Sequence, residues 1–271
     1  MVAMKIVFIG GGNMATALIG GLIARRHPAA DILVVEPRAE QRAALAEQFG
    51  VATTATLAAD RSCDVLVLAV KPQVMRAVLA ELPPLPATAC VLSVAAGVRA
   101  ADLARWLGHA AIVRAMPNTP ALIGAGISGV YAAPAVNAAQ RAAAETILAA
   151  AGSVVWVDEE AQLDAVTAIS GSGPAYVFYF IEALEAAARR LGLPAASARQ
   201  LSLHTFAGAA RLALEDGGEP AELRARVTSK GGTTERGIAA LEAAAVKAAI
   251  LAAAEAAAAR AAELGDELGR D

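Results

Sequence analysis

Cysteine is nearly absent from this 271-residue chain: Cys63 and Cys90 are the only two, and neither stands in a CxxC or Cys/His spacing. A disulfide framework is excluded, and a reduced cytosolic setting is expected. Histidine is as scarce. His27, His109 and His204 lie far apart with no HExxH-type pairing, so no histidine metal site is expected. No run of lysine or arginine occurs, the formal charge is -3 and the pI is about 5.7, which argues against nucleic acid as a partner. A long uninterrupted apolar run is also missing, despite a mean hydropathy of +0.51. The longest, residues 243–259, is broken by Lys247 and Glu255 and is mostly weakly apolar alanine. It reads as a buried helix of a soluble protein rather than a membrane span. The first strand is expected from Lys5, which leaves no room for a signal peptide, so a cytoplasmic location is expected.

What the chain has in quantity is aliphatic: 57% of it is hydrophobic and only 4% aromatic. Much of that share is alanine, the best helix former, so closely packed helices are the expected filler. The length allows one large domain or two modest ones. Strands are expected over residues 5–10, 31–36, 64–70, 90–94, 111–115 and 127–131, with helices over 14–26, 39–49, 73–81 and 100–107. Apolar strands alternating with helices predict a mostly parallel sheet covered on both faces. After Val157 a turn at Asp158-Glu159-Glu160 leads only to helices, over 175–191, 195–216, 220–227, 234–243 and 245–268. Gly192, Pro194 and the Gly217-Gly218 pair punctuate them. The expected fold is therefore α/β. A Rossmann-like, doubly wound domain over 1–157 precedes an all-α domain over 158–271, whose uniformly apolar helices predict a second copy as partner.

The run Ile6-Val7-Phe8-Ile9-Gly10-Gly11-Gly12-Asn13-Met14-Ala15 has the form GxGxxA between strand and helix. Gly10 permits the tight turn and Gly12 a close approach of backbone to a pyrophosphate. Ala15 keeps the helix near the strand, and the free N–H groups at Gly11, Gly12, Asn13 and Met14 face the phosphate charge. Alone the pattern could be a flexible turn; a following strand that ends in an acid makes it a nicotinamide dinucleotide site. That acid, Glu36, would accept ribose hydroxyls and repel a 2′-phosphate, whereas Arg38 would embrace one. The choice between NADPH and NADH stays open at this point.

Ligands of doubly wound sheets sit beyond the carboxyl ends of strands. Those positions read Ala69-Val70-Lys71-Pro72, Ser93-Val94-Ala95-Ala96-Gly97 and Arg114-Ala115-Met116-Pro117-Asn118-Thr119-Pro120. Ala95 and Ala96 are small enough for a flat ring to lie against backbone. Lys71 offers charge to a cofactor, or is a surface lysine. Asn118 could hold ring or substrate, or cap a helix, and the two roles are compatible.

In order and at matching spacing, "FIGGGNMA", "AVKPQ", "SVAAGV", "RAMPNTPAL", "AISGSGPAYVFYFIEAL" and "TSKGGTTERGIAALE" resemble the pyrroline-5-carboxylate reductase family over nearly the whole length. The resemblance implies a helical dimerisation domain and reduction of the cyclic imine 1-pyrroline-5-carboxylate by NADPH, with NADH possible, to L-proline. Ser170-Gly171-Ser172-Gly173-Pro174 either lines the substrate pocket or only opens a helix. Ser229-Lys230-Gly231-Gly232-Thr233-Thr234 precedes a helix and forms a nest of N–H donors suited to the substrate's carboxylate. The resemblance gives Gly232 and Thr233 that task through their amides, and makes Thr234 the donor to the ring nitrogen, with Ser229 beside them. The family usually has proline where Lys230 stands.

A catalytic His, Lys or metal cluster is missing, which suits an imine: it can arrive protonated, whereas a carbonyl needs an acid for its developing alkoxide. Two rivals remain. A β-hydroxyacid dehydrogenase would carry a lysine on the first long helix after the sheet, and residues 175–191 have none. A non-catalytic NAD(P)-sensing module would not need the loop around Thr234.

Overall fold

The computed structural model describes residues 4–58 and 62–270. The first part alternates β1 (Ile6–Ile9), α1 (Asn13–Ala24), β2 (Ile32–Val35), α2 (Ala39–Phe49), β3 (Ala52–Thr54), β4 (Val65–Leu68), α3 (Pro72–Ala80), β5 (Cys90–Ser93) and α4 (Ala100–Leu107). Then come β6 (Ile112–Met116), β7 (Gly126–Ala132), α5 (Ala138–Ala149), β8 (Gly152–Trp156) and the short α6 (Gln162–Val166), which runs into a π-helical turn at Thr167–Gly171. The remainder is α7 (Gly173–Arg190), α8 (Ala195–Asp216), α9 (Pro220–Arg226), α10 (Thr233–Ala243) and α11 (Val246–Leu268).

The strands form one sheet in the order β3-β2-β1-β4-β5-β6-β7-β8, parallel except for β6 against β7. The doubly wound expectation holds, and the order turns about β1 and β4, which is where such sheets bind ligands. β1 shows why. Its four residues are all buried, because Ile6 and Phe8 pack with Leu18, Ile19 and Leu22 of α1, while Val7 and Ile9 pack with Met75, Leu79 and Leu103 of the opposite layer. Two covered faces demand a continuously apolar strand.

Sequence reading passes over β3, α5, α6 and β8. β3 is a three-residue edge strand with no buried residue, so it carries little pattern. α5 did carry a signal: Asn137 and Gln140 form a reciprocal capping box, with Gln140 N–H to Asn137 Oδ1 at 2.9 Å and Asn137 N–H to Gln140 Oε1 at 3.0 Å. Residues 245–268 also begin one position later than expected as a helix, because Ala245 has φ 52°, outside right-handed helix space.

By density of contacts the chain divides into a sheet unit, Met1–Ser172 with Ala256–Asp271, and a helical unit, Gly173–Glu255. The first takes in α6 because Leu163 is buried and Gly129 of β7 lies against Val166. In the helical unit α7, α9 and α10 bury no residue, and α8 buries only Ala198 and Ser202. α11 buries only Ala261 and Gly265, so the stretch 243–259 is not the buried helix its composition suggested. Its apolar surface is open in a single chain. No single helix among the described residues is long and apolar enough to cross a membrane.

Candidate active site

The carboxyl edge of the sheet is built around Gly10. Its φ of +97° admits glycine readily, and a Cβ there would lie 2.8 Å from the Ala69 carbonyl oxygen, so this turn is glycine's on two grounds. Gly12 flanks α1 in extended conformation, and a Cβ on it would meet nothing within 4 Å. The loop is therefore bare on its outer side. The first helical hydrogen bond runs from Thr16 N–H to the Gly12 carbonyl at 2.9 Å. That leaves the N–H groups of Gly12, Asn13 and Met14 without acceptors in the helix, at the positive end of its dipole. Ala15 is fully buried against the sheet. These donors and this open backbone fit a dinucleotide pyrophosphate.

Glu36 is not a solvated loop carboxylate; it is 5% exposed and folded onto the glycine loop. One oxygen accepts the Gly11 N–H at 3.0 Å, and the other accepts the Arg38 N–H at 3.1 Å and Arg38 Nε at 2.9 Å. Burial raises its pKa, but the Gly11 bond and the Arg38 guanidinium outweigh that and hold the carboxyl below its ordinary value. The two residues read as rivals over the cofactor are thus an ion pair. Gln41 and Arg42, which sequence reasoning missed, complete the corner: Gln41 Nε2 donates to the Gly11 carbonyl at 2.6 Å, and Arg42 Nη1 to the carbonyls of Glu36 and Pro37 at 2.8 and 2.7 Å. Their partners are carbonyls, which every residue has, so no residue pattern announces them.

Along the same edge Val70 packs against Gly10, and Lys71 is exposed at the start of α3, whose first residue is Pro72. After β5, Ala95 is buried and Ala96 exposed, so only the second turns its side chain outward. Gly97, at φ +79°, lies against Leu268 near the end of α11. Beneath this edge Arg114 is 4% exposed and bonds Glu160 at 2.6 Å, while Glu160 also accepts the Ala100 N–H. Asn118 flanks a 3₁₀ turn, Thr119–Ile123, without capping it. Its amide instead joins the Ser170 carbonyl and the Ile127 N–H.

In the helical unit Thr233 and Thr234 open α10, and both are exposed. The expected nest is partly filled by the loop itself. Gly231, at φ +75°, gives its N–H to Glu235 Oε2 at 2.7 Å, and Gly232 gives its own to the Ser229 carbonyl at 3.0 Å. The Gly232 amide is therefore not free for a ligand, because a tight turn closes on it. The amides of Thr233 and Thr234, one and two residues into the helix, are left as donors without helical acceptors. Lys230 is exposed.

Residues 160–264 match the family model for pyrroline-5-carboxylate reductase dimerisation, and residues 5–97 match that of NADP oxidoreductase, coenzyme F420-dependent. The pyrroline-5-carboxylate reductase of Pseudomonas aeruginosa is 48% identical over 269 residues, 98% of each chain. The solved reductase of Coxiella burnetii superposes with a TM-score of 0.90 at 41% identity, covering 97% of this chain and 98% of that one. The Plasmodium falciparum pyrroline carboxylate reductase, solved with NADP bound, gives a TM-score of 0.84 at 28% identity, covering 98% and 99%. With likeness of this degree over nearly the whole of both chains, the chain belongs to the pyrroline-5-carboxylate reductase family.

Proposed function

We propose that this protein is an NAD(P)H-dependent imine reductase that converts 1-pyrroline-5-carboxylate to L-proline, the last step of proline biosynthesis. The observation that carries the reading is the 48% identity to a pyrroline-5-carboxylate reductase across 98% of both chains. The bound NADP of the Plasmodium relative supports NADPH as cofactor, with NADH possible.

Gly12, Asn13 and Met14 hold the pyrophosphate through amides that no helical carbonyl claims, while Gly10 and Gly11, whose amides go to the Val35 carbonyl and the Glu36 carboxylate, shape the turn beside it. Glu36 and Arg38 meet the adenosine ribose. Ala69, Val70, Lys71 and Pro72 border the dinucleotide at the β4 end, and Ala95, Ala96 and Asn118 border its nicotinamide side. When bound, the reduced nicotinamide supplies a hydride to the imine carbon. Thr233 and Thr234 take the substrate carboxylate through their amides, with Ser229 shaping the loop behind them and Gly232 closing its turn. The Thr234 hydroxyl orients the ring nitrogen, and Ser170-Gly171-Ser172 lines the substrate side. Orientation suffices because a protonated imine is already electrophilic, so no side chain has to deliver a proton as hydride arrives.

The helical half also mediates self-association. The dimerisation model's match over 160–264 and the exposure of Phe178 at 59% and Tyr179 at 70% support a homodimer. We divide the dinucleotide domain from the helical domain at 157/158, a reading supported by the start of that match at residue 160. The cytoplasm is the inferred location, a reading supported by the two cysteines, which are free. The test is oxidation of NADPH and of NADH, side by side, with 1-pyrroline-5-carboxylate and the purified protein. Turnover is expected; none with either nucleotide would overturn the assignment.

A further inference from the structure

Asn118 is bound at both ends of its side-chain amide. Nδ2 donates to the Ser170 carbonyl at 3.1 Å, and Oδ1 accepts the Ile127 N–H of β7 at 3.0 Å. Ser170 belongs to the π-helical turn Thr167–Gly171, in which the Ser172 N–H returns to the Thr167 carbonyl at 2.8 Å. Such turns are rare and collect at functional sites.

The sequence explains why this carbonyl needs an outside donor. In a continuing helix the Ser170 carbonyl would take the N–H of residue 174, and residue 174 is proline, which has none. Ser172 keeps right-handed helical dihedrals, φ -83° and ψ -24°, so the helical direction is kept while the donor is missing. A part-buried carbonyl without a partner is costly, and Asn118 supplies the missing N–H. Close packing seats the same turn independently. A Cβ on Gly171 would come within 2.6 Å of the Met116 methyl, two residues before Asn118, and Gly129 of β7 is pressed against Val166.

We propose that Asn118 is a positioning residue for the reduction: by standing in for the donor that Pro174 lacks, it pins the π-turn and so fixes the Ser170-Gly171-Ser172 backbone. This rests on the reading above that the run lines the substrate side. Asn118 retains one further amide hydrogen, so its place beside the nicotinamide and its pinning role are compatible, and they are separable by experiment.

The experiment is a double-mutant cycle with Asn118→Ala, Pro174→Ala and both together. It reads kcat/KM for the imine, NADPH affinity by fluorescence titration, and hydrogen exchange at the Ser172 amide. In the proline background Asn118→Ala is expected to lower kcat/KM roughly tenfold, and whatever it costs in NADPH affinity through its place beside the nicotinamide should be the same in both backgrounds. In the alanine background the same change should cost less than about threefold, because the new N–H at 174 takes the Ser170 carbonyl. Asn118→Asp keeps the acceptor for Ile127 but has no donor at neutral pH, so it should behave like Asn118→Ala. Exchange at Ser172 should quicken in Asn118→Ala and slow again in the double variant. An equal loss of kcat/KM in both backgrounds overturns the proposal. If the wild type reduces no imine, the assigned activity fails, while the exchange measurement still decides whether the pin exists.

Discussion

Glu36→Gln reaches furthest into cofactor choice. The Glu36 carboxylate is held by Gly11 and Arg38 at 2.9 to 3.1 Å and is kept ionised at neutral pH by those partners against the opposing effect of burial. It is therefore a fixed negative charge at the end of β2. Two unit charges about 5 Å apart interact by roughly 3 kcal/mol at an effective dielectric near 20. Salt and the Arg38 counter-charge reduce that to about 1.5–2 kcal/mol against a 2′-phosphate. Neutralising Glu36 is thus expected to raise the ratio of kcat/KM for NADPH over NADH by about 10- to 30-fold. The amide also turns one acceptor into a donor facing Gly11 or Arg38, so stability at neutral pH should fall by about 1–2 kcal/mol. The sign with pH follows from the depressed pKa. Glu36 stabilises the fold above the ordinary carboxylate range and loses that contribution as pH falls through its folded-state value, so the deficit of the variant should shrink in acid. Steady-state rates with both nucleotides, dissociation constants for both, and urea midpoints at neutral and acid pH check each part. An unchanged nucleotide ratio would remove Glu36 from the ribose site.

Thr234→Ala should lower turnover while leaving NADPH affinity unchanged; full activity would end its assigned role. Glu160→Ala strands the buried Arg114 guanidinium, only 5% exposed in its side chain, and should cost about 3 kcal/mol in urea unfolding. Adding Arg114→Met should restore much of that loss, and no restoration would mean that the pair is not what the site needs. Ala245→Gly relaxes the residue at φ 52° between α10 and α11 and should raise the thermal midpoint, by about 1 kcal/mol of stability. An unchanged midpoint would mean that this linker carries no conformational cost.

The glycine loop was legible because its chemistry is local. A turn at Gly10 needs positive φ, and a helix start needs free donors, and both follow from a handful of consecutive residues. The apolar runs of β1, β2, β4 and β5 were legible because strands covered on both faces cannot hide among polar neighbours. β8 escaped because it alternates partly buried and exposed residues at the end of the sheet. The Gly232 amide could not be scored from sequence at all, because its acceptor is a main-chain carbonyl, and the carbonyl of Ser229 differs from any other only by where the turn puts it.

By itself the sequence determined the glycine turn between β1 and α1, that the fold is a doubly wound sheet followed by helices, and that the chemistry belongs to an imine. Tertiary structure decided what side chains do once distant segments meet. It made Glu36 and Arg38 a pair instead of alternatives, and it buried Arg114 on Glu160 across 46 residues of chain. It also brought Asn118 to a carbonyl 52 residues away that a proline had left without a donor. The physical reason is one of range. Backbone conformation and hydrophobic pattern are set by near neighbours, whereas the partner of a charge or an amide is whatever the completed sheet carries within 3 Å or so of it.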